Sequence, residues 1–215
     1  MVGSVAIEQQ RPRLRADASR NRERIVTAAR EAFVEHGPDL PLDEIARRAG
    51  VGNATLYRHF ADRGQLIRTV TLSVMDRVAQ RAEATLAEEP DAFEALRRFM
   101  HEAADERIGA LCTLLSGAFE EDDPELVVAG DHLTVAVQAL IDSAHRSGQL
   151  RTDVASGDLM VALSQLTRPL PGTACFNTDR FAHRHLQLFL DGLRAPARSQ
   201  LPGSAVTFED LRQKS

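Results

Sequence analysis

Tryptophan is absent from these 215 residues, and there is a single tyrosine. The core must therefore be aliphatic, with nine phenylalanines in support. The two cysteines, Cys112 and Cys175, are far apart and too few for a disulfide framework or a cysteine-rich zinc site. A reducing compartment is the expectation, the cytoplasm by default. No apolar run approaches the roughly 18 residues that span a bilayer, so no membrane crossing is expected. Met1 to Asp17 carries several arginines but no apolar segment, which excludes a secretory signal. No stretch alternates apolar and polar residues convincingly, so no strand is expected. Lysine is nearly absent too: Lys214 stands alone beside 25 arginines, a bias that points to a GC-rich genome.

The charge that is present is unevenly spread. The formal net charge of -5 argues by itself against a nucleic-acid partner. Residues 1–60, however, hold ten arginines and eight acids, a net of +2. The remainder holds the other 16 bases against 23 acids, a net of -7. A mildly basic head on an acidic body fits a small DNA-binding module joined to something else.

Helical periodicity accounts for most of the chain. Residues 1–17 lack it and carry Arg11, Arg13 and Arg15, which reads as a flexible basic arm. Ile25, Ala28, Ala29, Ala32 and Phe33 then form an amphipathic stripe that Gly37-Pro38 ends. A short second helix opens near Pro41, with Leu42, Ile45, Ala46 and Ala49 on its buried face. Gly50-Val51-Gly52 breaks it, and a third short helix runs from about Asn53 to Phe60. Asp62 reads as the N-cap of a long helix to about Ala87. Further helices are predicted from Pro90-Asp91, near Ala110–Phe119, from Asp122-Asp123-Pro124 to about Ser147, over about Gly157–Thr167, and over about Asp179–Arg194. Pro169-Leu170-Pro171-Gly172 separates the last two, and the tail after Pro196 reads as polar, with a helical hint at Val206–Arg212. The fold class is all-α with about nine helices. Its expected parts are an arm (1–17), a helix-turn-helix domain (18–66), a ligand-binding and dimerisation domain (67–195) and a tail (196–215).

The informative stretch lies between Leu42 and Phe60. A helix-turn-helix needs two short helices at a steep angle across a tight turn. Ala46 and Ala49 are small enough for a second helix to cross closely, and Gly50 tolerates positive φ at the turn. Val51, Leu56 and Phe60 should point into the three-helix core. Asn53, Thr55, Arg58 and His59 are left projecting outward, polar side chains able to reach base edges or phosphates from a helix in the major groove. The competing reading is a helical hairpin that merely packs, with a solvated polar face.

The block from Arg22 to Leu66 resembles the DNA-binding domain of the tetracycline-repressor (TetR) family. The residues that carry the resemblance are Ile25-Val-Thr-Ala-Ala, Ala32-Phe33, Gly37, Asp43-Glu-Ile-Ala, Ala49-Gly-Val, Thr55-Leu-Tyr-Arg-His-Phe and Leu66, roughly the first third of the chain. The resemblance implies that the helix from Asn53 to His59 enters the major groove and that Thr55 and Tyr57 touch backbone phosphates. It implies a phosphate contact for Arg63, where lysine is more usual. Pro41 stands where a serine or threonine often contacts phosphate, and proline has neither hydroxyl nor N–H. The candidate DNA-binding set is therefore Pro41, Leu42, Asn53, Ala54, Thr55, Tyr57, Arg58, His59 and Arg63, with Arg58 and Asn53 reading bases. The implied partner is a palindromic double-stranded operator, since one such motif recognises DNA weakly and usually works in a two-fold dimer.

Past residue 66 only the pattern speaks. Leu159, Leu163, Leu166 and Leu170 share one stripe; Phe181, His185, Leu188 and Gly192 share another, beside Leu186, Leu190 and Leu193. A helix apolar on more than one face is buried on more than one side. Leu159, Leu163, Leu166, Phe181, His185, Leu188 and Gly192 are thus the candidate homodimer interface, with intramolecular core as the alternative. By resemblance, the middle helices enclose a cavity for a small hydrophobic effector, with Met75, Phe93, Leu96, Met100, Leu111, Leu114, Phe119, His132 and Val135 as candidate lining. Met and Phe at such spacing are more often plain core. Gly50-Val-Gly-Asn-Ala-Thr follows a helix and lacks a third glycine, so it is no phosphate loop. His183 and His185 point to different helix faces and are poorly placed to chelate a metal. No catalytic motif is present and no cofactor is expected, so an enzyme has no positive support. A ligand-responsive repressor is the reading; a helical small-molecule-binding or scaffold protein without DNA function is the alternative.

Overall fold

A computed structural model describes residues 5–107, 123–168 and 178–212. These form nine helices: α1 (Val5–His36), α2 (Leu42–Ala49), α3 (Asn53–His59), α4 (Arg63–Glu88), α5 (Ala92–Asp105), α6 (Pro124–Arg146), α7 (Ser156–Leu166), α8 (Thr178–Leu193) and α9 (Phe208–Arg212). Among the described residues there is no strand, only an isolated antiparallel bridge between Leu150 and Arg194. The helix expected near Ala110–Phe119, the breaker run from Pro169 to Gly172, and Cys112 and Cys175 lie outside the described residues.

The chain divides into two compact units, residues 1–70 and 71–215, and α4 runs from the first into the second. In the first unit α1, α2 and α3 pack on one another. Their mutual core is Ile25, Ala29, Ala32, Phe33, Ile45, Ala46, Leu56 and Phe60, all essentially buried. Each large aliphatic or aromatic side chain of this kind stabilises the fold by about 1.5–3 kcal/mol when withdrawn from water. One expectation is corrected. The stretch taken as a flexible arm is helical from Val5 onward. Missing apolar periodicity speaks to burial, whereas Arg, Gln, Glu and Ala are good helix formers wherever they sit. The helix there accommodates Pro12, which lacks the N–H that would bond the Glu8 carbonyl.

In the second unit α5 packs against α6, α7 and α8, and α7 against α6, α8 and α9. Phe93, Leu96, Phe99 and Met100 of α5 meet a core that includes Val137, Leu140 and Ile141 of α6, Leu159 and Leu163 of α7, and Leu186 and Leu190 of α8. Helix starts follow capping chemistry. Asp91 accepts from the N–H groups of Phe93 (3.0 Å) and Glu94 (2.9 Å), and Asp123 from those of Glu125 (3.0 Å) and Leu126 (3.3 Å), with Pro124 in the first turn. By length and composition α6 could cross a bilayer. Its Asp131 and Asp142 are exposed, while Leu133, Val137, Leu140 and Ile141 on its other face are buried in the core of the second unit, the pattern of an amphipathic helix.

The tail is less irregular than expected. Thr207 caps α9: its N–H and hydroxyl donate to Asp210 (2.8 and 2.6 Å), whose own N–H donates back to the Thr207 Oγ1 (3.2 Å). Asp158 accepts from both Ala155 N–H (2.8 Å) and Val206 N–H (3.2 Å), joining the start of α7 to the tail. Arg151, buried, holds Asp153 with both ends of its fork (2.6 and 2.9 Å) and reaches the carbonyls of Gly192 (3.3 Å) and Ser199 (2.7 Å). His183 contacts His101 through facing Nδ1 atoms at 2.9 Å and Asp105 through Nε2 at 2.9 Å, tying α8 to α5.

Candidate nucleic-acid interface

The turn between α2 and α3 is made by Gly50, whose φ of 63° and ψ of 37° lie in the left-handed region. Its N–H bonds the Arg47 carbonyl (3.1 Å) and the Val51 N–H bonds that of Ala46 (3.0 Å), closing α2. The Gly50 carbonyl accepts from Arg24 of α1 (3.2 Å), which anchors the turn to the first helix. Gly52 then opens α3, its carbonyl accepting from Thr55 (2.8 Å) and Leu56 (3.1 Å). Leu56 and Phe60 are fully buried, as the periodicity predicts; Val51 is only half-buried. Arg22 lies over the Phe60 ring at 5.2 Å from its centroid, closing the core from the α1 side.

That anchoring leaves the other face of α3 in water. Asn53, Ala54, Tyr57 and Arg58 are exposed, and Thr55 and His59 are half-buried. Tyr57 is 52% exposed, a large aromatic that no intramolecular packing explains. Arg58 is folded along its own helix, donating to the Ala54 carbonyl (3.2 Å) and the Thr55 hydroxyl (2.9 Å). Both bonds are exposed and replaceable, so the guanidinium is free to exchange them for a base edge or a phosphate.

The second-helix side is built differently from its expectation. Pro41 is exposed and serves as N-cap, with the helix beginning at Leu42, which is half-buried. Glu44 is the hub of an arginine network: Arg47 donates to it at 2.8 and 2.7 Å, and Arg48 at 3.1 Å. Arg48 also reaches Glu35 (2.6 Å) and His36 (2.7 Å), tying the end of α1 to α2. The hydrogen bonds from Arg47 and then Arg48 hold the Glu44 carboxyl down from the ordinary 4.5 to about 2. Arg63 is half-buried, and its Nη1 donates to the carbonyls of Pro38 and Leu40, the latter at 2.8 Å.

Sequence reasoning missed Arg22, Arg24 and the Arg48–Glu35 pair. Their partners lie 13 to 47 residues away, beyond any local spacing rule.

A turned-out α3 on a glycine hinge, with small residues beneath it and polar residues above, is a helix-turn-helix. Residues 25–70 match the model of bacterial regulatory proteins of the tetR family, and residues 89–195 match that of the SbtR-like transcriptional regulator C-terminal domain. A TetR transcription regulatory protein from Mycobacterium vanbaalenii is 31% identical, aligned over 85% of this chain and 99% of that one, with a TM-score of 0.63. The chain belongs to the TetR family. The TetR regulator SCO0520 from Streptomyces coelicolor is 32% identical over 82% of this chain and 99% of that one, with a TM-score of 0.62. The uncharacterised HTH-type transcriptional regulator TtgW of Pseudomonas putida is 44% identical over 59 residues, 27% of this chain; the match spans 44% of TtgW itself. This TetR-family protein is thus a transcriptional regulator with a DNA-binding helix-turn-helix. Members of the family bind DNA operators and small-molecule effectors and are typically dimeric.

The remaining predicted sites fall unevenly. On α8, Phe181 (53% exposed), Leu188 (60%), His185 and Gly192 all face solvent. On α7, Leu159 and Leu163 are fully buried, which corrects their assignment to an intermolecular face; Leu166 is half-buried. Their stripe points inward because α7 is packed on four neighbouring helices. The outward residues of α7 are Val161 and Gln165 instead. Of the candidate effector lining, Phe93, Leu96 and Met100 are buried and Met75 is half-buried. Two members are misplaced: His132 is exposed and paired with Glu83 (2.7 Å), and Val135 is 69% exposed. The resemblance placed both in the cavity lining; α6 turns them to solvent. Leu111, Leu114 and Phe119 lie outside the described residues.

Proposed function

We propose that this protein is a cytoplasmic, homodimeric repressor that releases a palindromic operator when a small apolar effector binds its second unit. The observation that carries the reading is the exposed polar face of α3, with Tyr57 and Arg58 standing clear of a core that Leu56 and Phe60 complete. Phosphate contacts from Thr55 and Tyr57 position the helix, and Asn53 and Arg58 select bases. Exposed Phe181 and Leu188 on α8, together with exposed Val161 on α7, supply apolar surface for a two-fold partner. Buried Phe93, Leu96 and Met100 on α5 favour an apolar effector over a charged one.

Release follows from differential affinity. The effector must prefer the conformation whose two recognition helices no longer match the half-site spacing, by several kcal/mol for decisive switching. The test is binding to a duplex that the protein itself selects from a randomised pool, measured at several salt concentrations. Arg58→Ala and Tyr57→Ala should each weaken binding at least tenfold, on a steep salt slope. Flat, weak binding indifferent to both changes would remove the DNA-binding assignment of α3.

A further inference from the structure

Arg63 begins α4, a place where a cation is electrostatically disfavoured. The N-terminal end of a helix carries positive partial charge, and the first turn of α4 holds no acid; only the Asp62 cap before it, accepting from the Gln65 N–H (2.8 Å), offsets that charge. The Arg63 guanidinium gains from an acceptor outside the helix. A DNA phosphate is one candidate, and the structure supplies another. Nη1 of Arg63 donates to the carbonyls of Pro38 and Leu40 at once.

Those two carbonyls belong to the loop that delivers α2. The loop is flanked by prolines at 38 and 41, so two of its residues have no N–H to contribute. Among the described residues no backbone N–H is paired with either carbonyl. Gly37, at φ 83°, starts the loop, and Pro41 closes it as a cap without a side-chain bond. Among the described residues the arginine is the group that holds both of these carbonyls, at the loop that leads into α2.

We infer that Arg63 is a positioning residue for DNA recognition: it clamps the Pro38–Leu40 loop through its carbonyls and so sets where the helix-turn-helix sits on the duplex, rather than neutralising a phosphate. The inference rests on the DNA-binding activity of this motif and on nothing about the effector. It also accounts for the side chain being half-buried, where a phosphate ligand would project into solvent.

The experiment compares wild type, Arg63→Met and Arg63→Ala on one duplex selected by the wild-type protein from a randomised pool, each well below its unfolding midpoint. Methionine keeps most of the apolar stem while removing donors and charge, so it folds even where alanine does not. Affinity should fall at least tenfold with the slope of log K against log salt unchanged. In the free protein, amide hydrogen exchange over residues 39–44 should accelerate at least tenfold. A phosphate ligand behaves oppositely: the slope drops by about 0.9 for each phosphate no longer neutralised, and exchange in the free protein stays as it was. A reduced slope, unchanged exchange or unchanged affinity overturns the inference. Failure of the wild type to select any duplex instead counts against the DNA-binding assignment itself.

Discussion

Gly50 occupies a backbone state that costs a side-chain-bearing residue about 1–2 kcal/mol, and a Cβ built there would come 2.5 Å from the Arg24 guanidinium. Gly50→Ala therefore strains the turn and pushes Arg24 off the carbonyl it holds. Denaturant titration should show a loss of that order, with weakened DNA binding at temperatures where the variant is still folded. Glu44 makes a pH prediction. Its folded carboxyl titrates at about 2 against an ordinary 4.5, because Arg47 and Arg48 stabilise the charged form. A depressed carboxyl contributes stability above the ordinary value and loses it as pH falls from 4.5 toward 2. The difference in melting temperature between wild type and Glu44→Gln should be present at neutral pH, shrink through that window, and narrow with added salt.

The start of α7 meets the backbone of the segment that leads into α9. A Cβ on Gly157 would lie 2.5 Å from the Val206 carbonyl oxygen and 2.6 Å from that of Thr207. Neither atom can rotate away, so Gly157→Val must lift the segment carrying α9. Overpacking of this kind costs about 1–3 kcal/mol. Limited proteolysis should cut the variant within residues 196–212 under conditions that leave wild type intact. The same element shows how a pattern misleads. Leu159, Leu163 and Leu166 have the spacing of an interface helix, yet the first two are spent inside their own unit. On α8 both stripes are real: Leu186, Leu190 and Leu193 face inward while Phe181 and Leu188 face out.

For the molecule as a whole, the outward stripe makes the proposed dimer testable. Paired Phe181→Glu and Leu188→Glu substitutions change positions exposed in the single chain, so each chain should keep its helical content, while its melting temperature falls by the stability that association supplied and no longer depends on concentration. Sedimentation should show monomers, and operator affinity should collapse, since two half-sites are no longer read together. A variant that stays dimeric would remove α8 from the interface.

Local chemistry settled much of this protein from its sequence. Gly50 with Ala46, Ala49, Leu56 and Phe60 specified a helix-turn-helix, because a left-handed turn and a 3.6-residue apolar period are properties of neighbouring residues. Asp62 and Asp91 marked helix starts for the same reason. What depended on distant partners was settled by tertiary structure. Arg24 on Gly50, Arg63 on Pro38 and Leu40, and Arg48 on Glu35 are contacts between segments that spacing cannot relate. Which apolar stripes are core and which are surface is likewise a fact about neighbours: periodicity gives a helix its faces, and only packing decides which of them is covered.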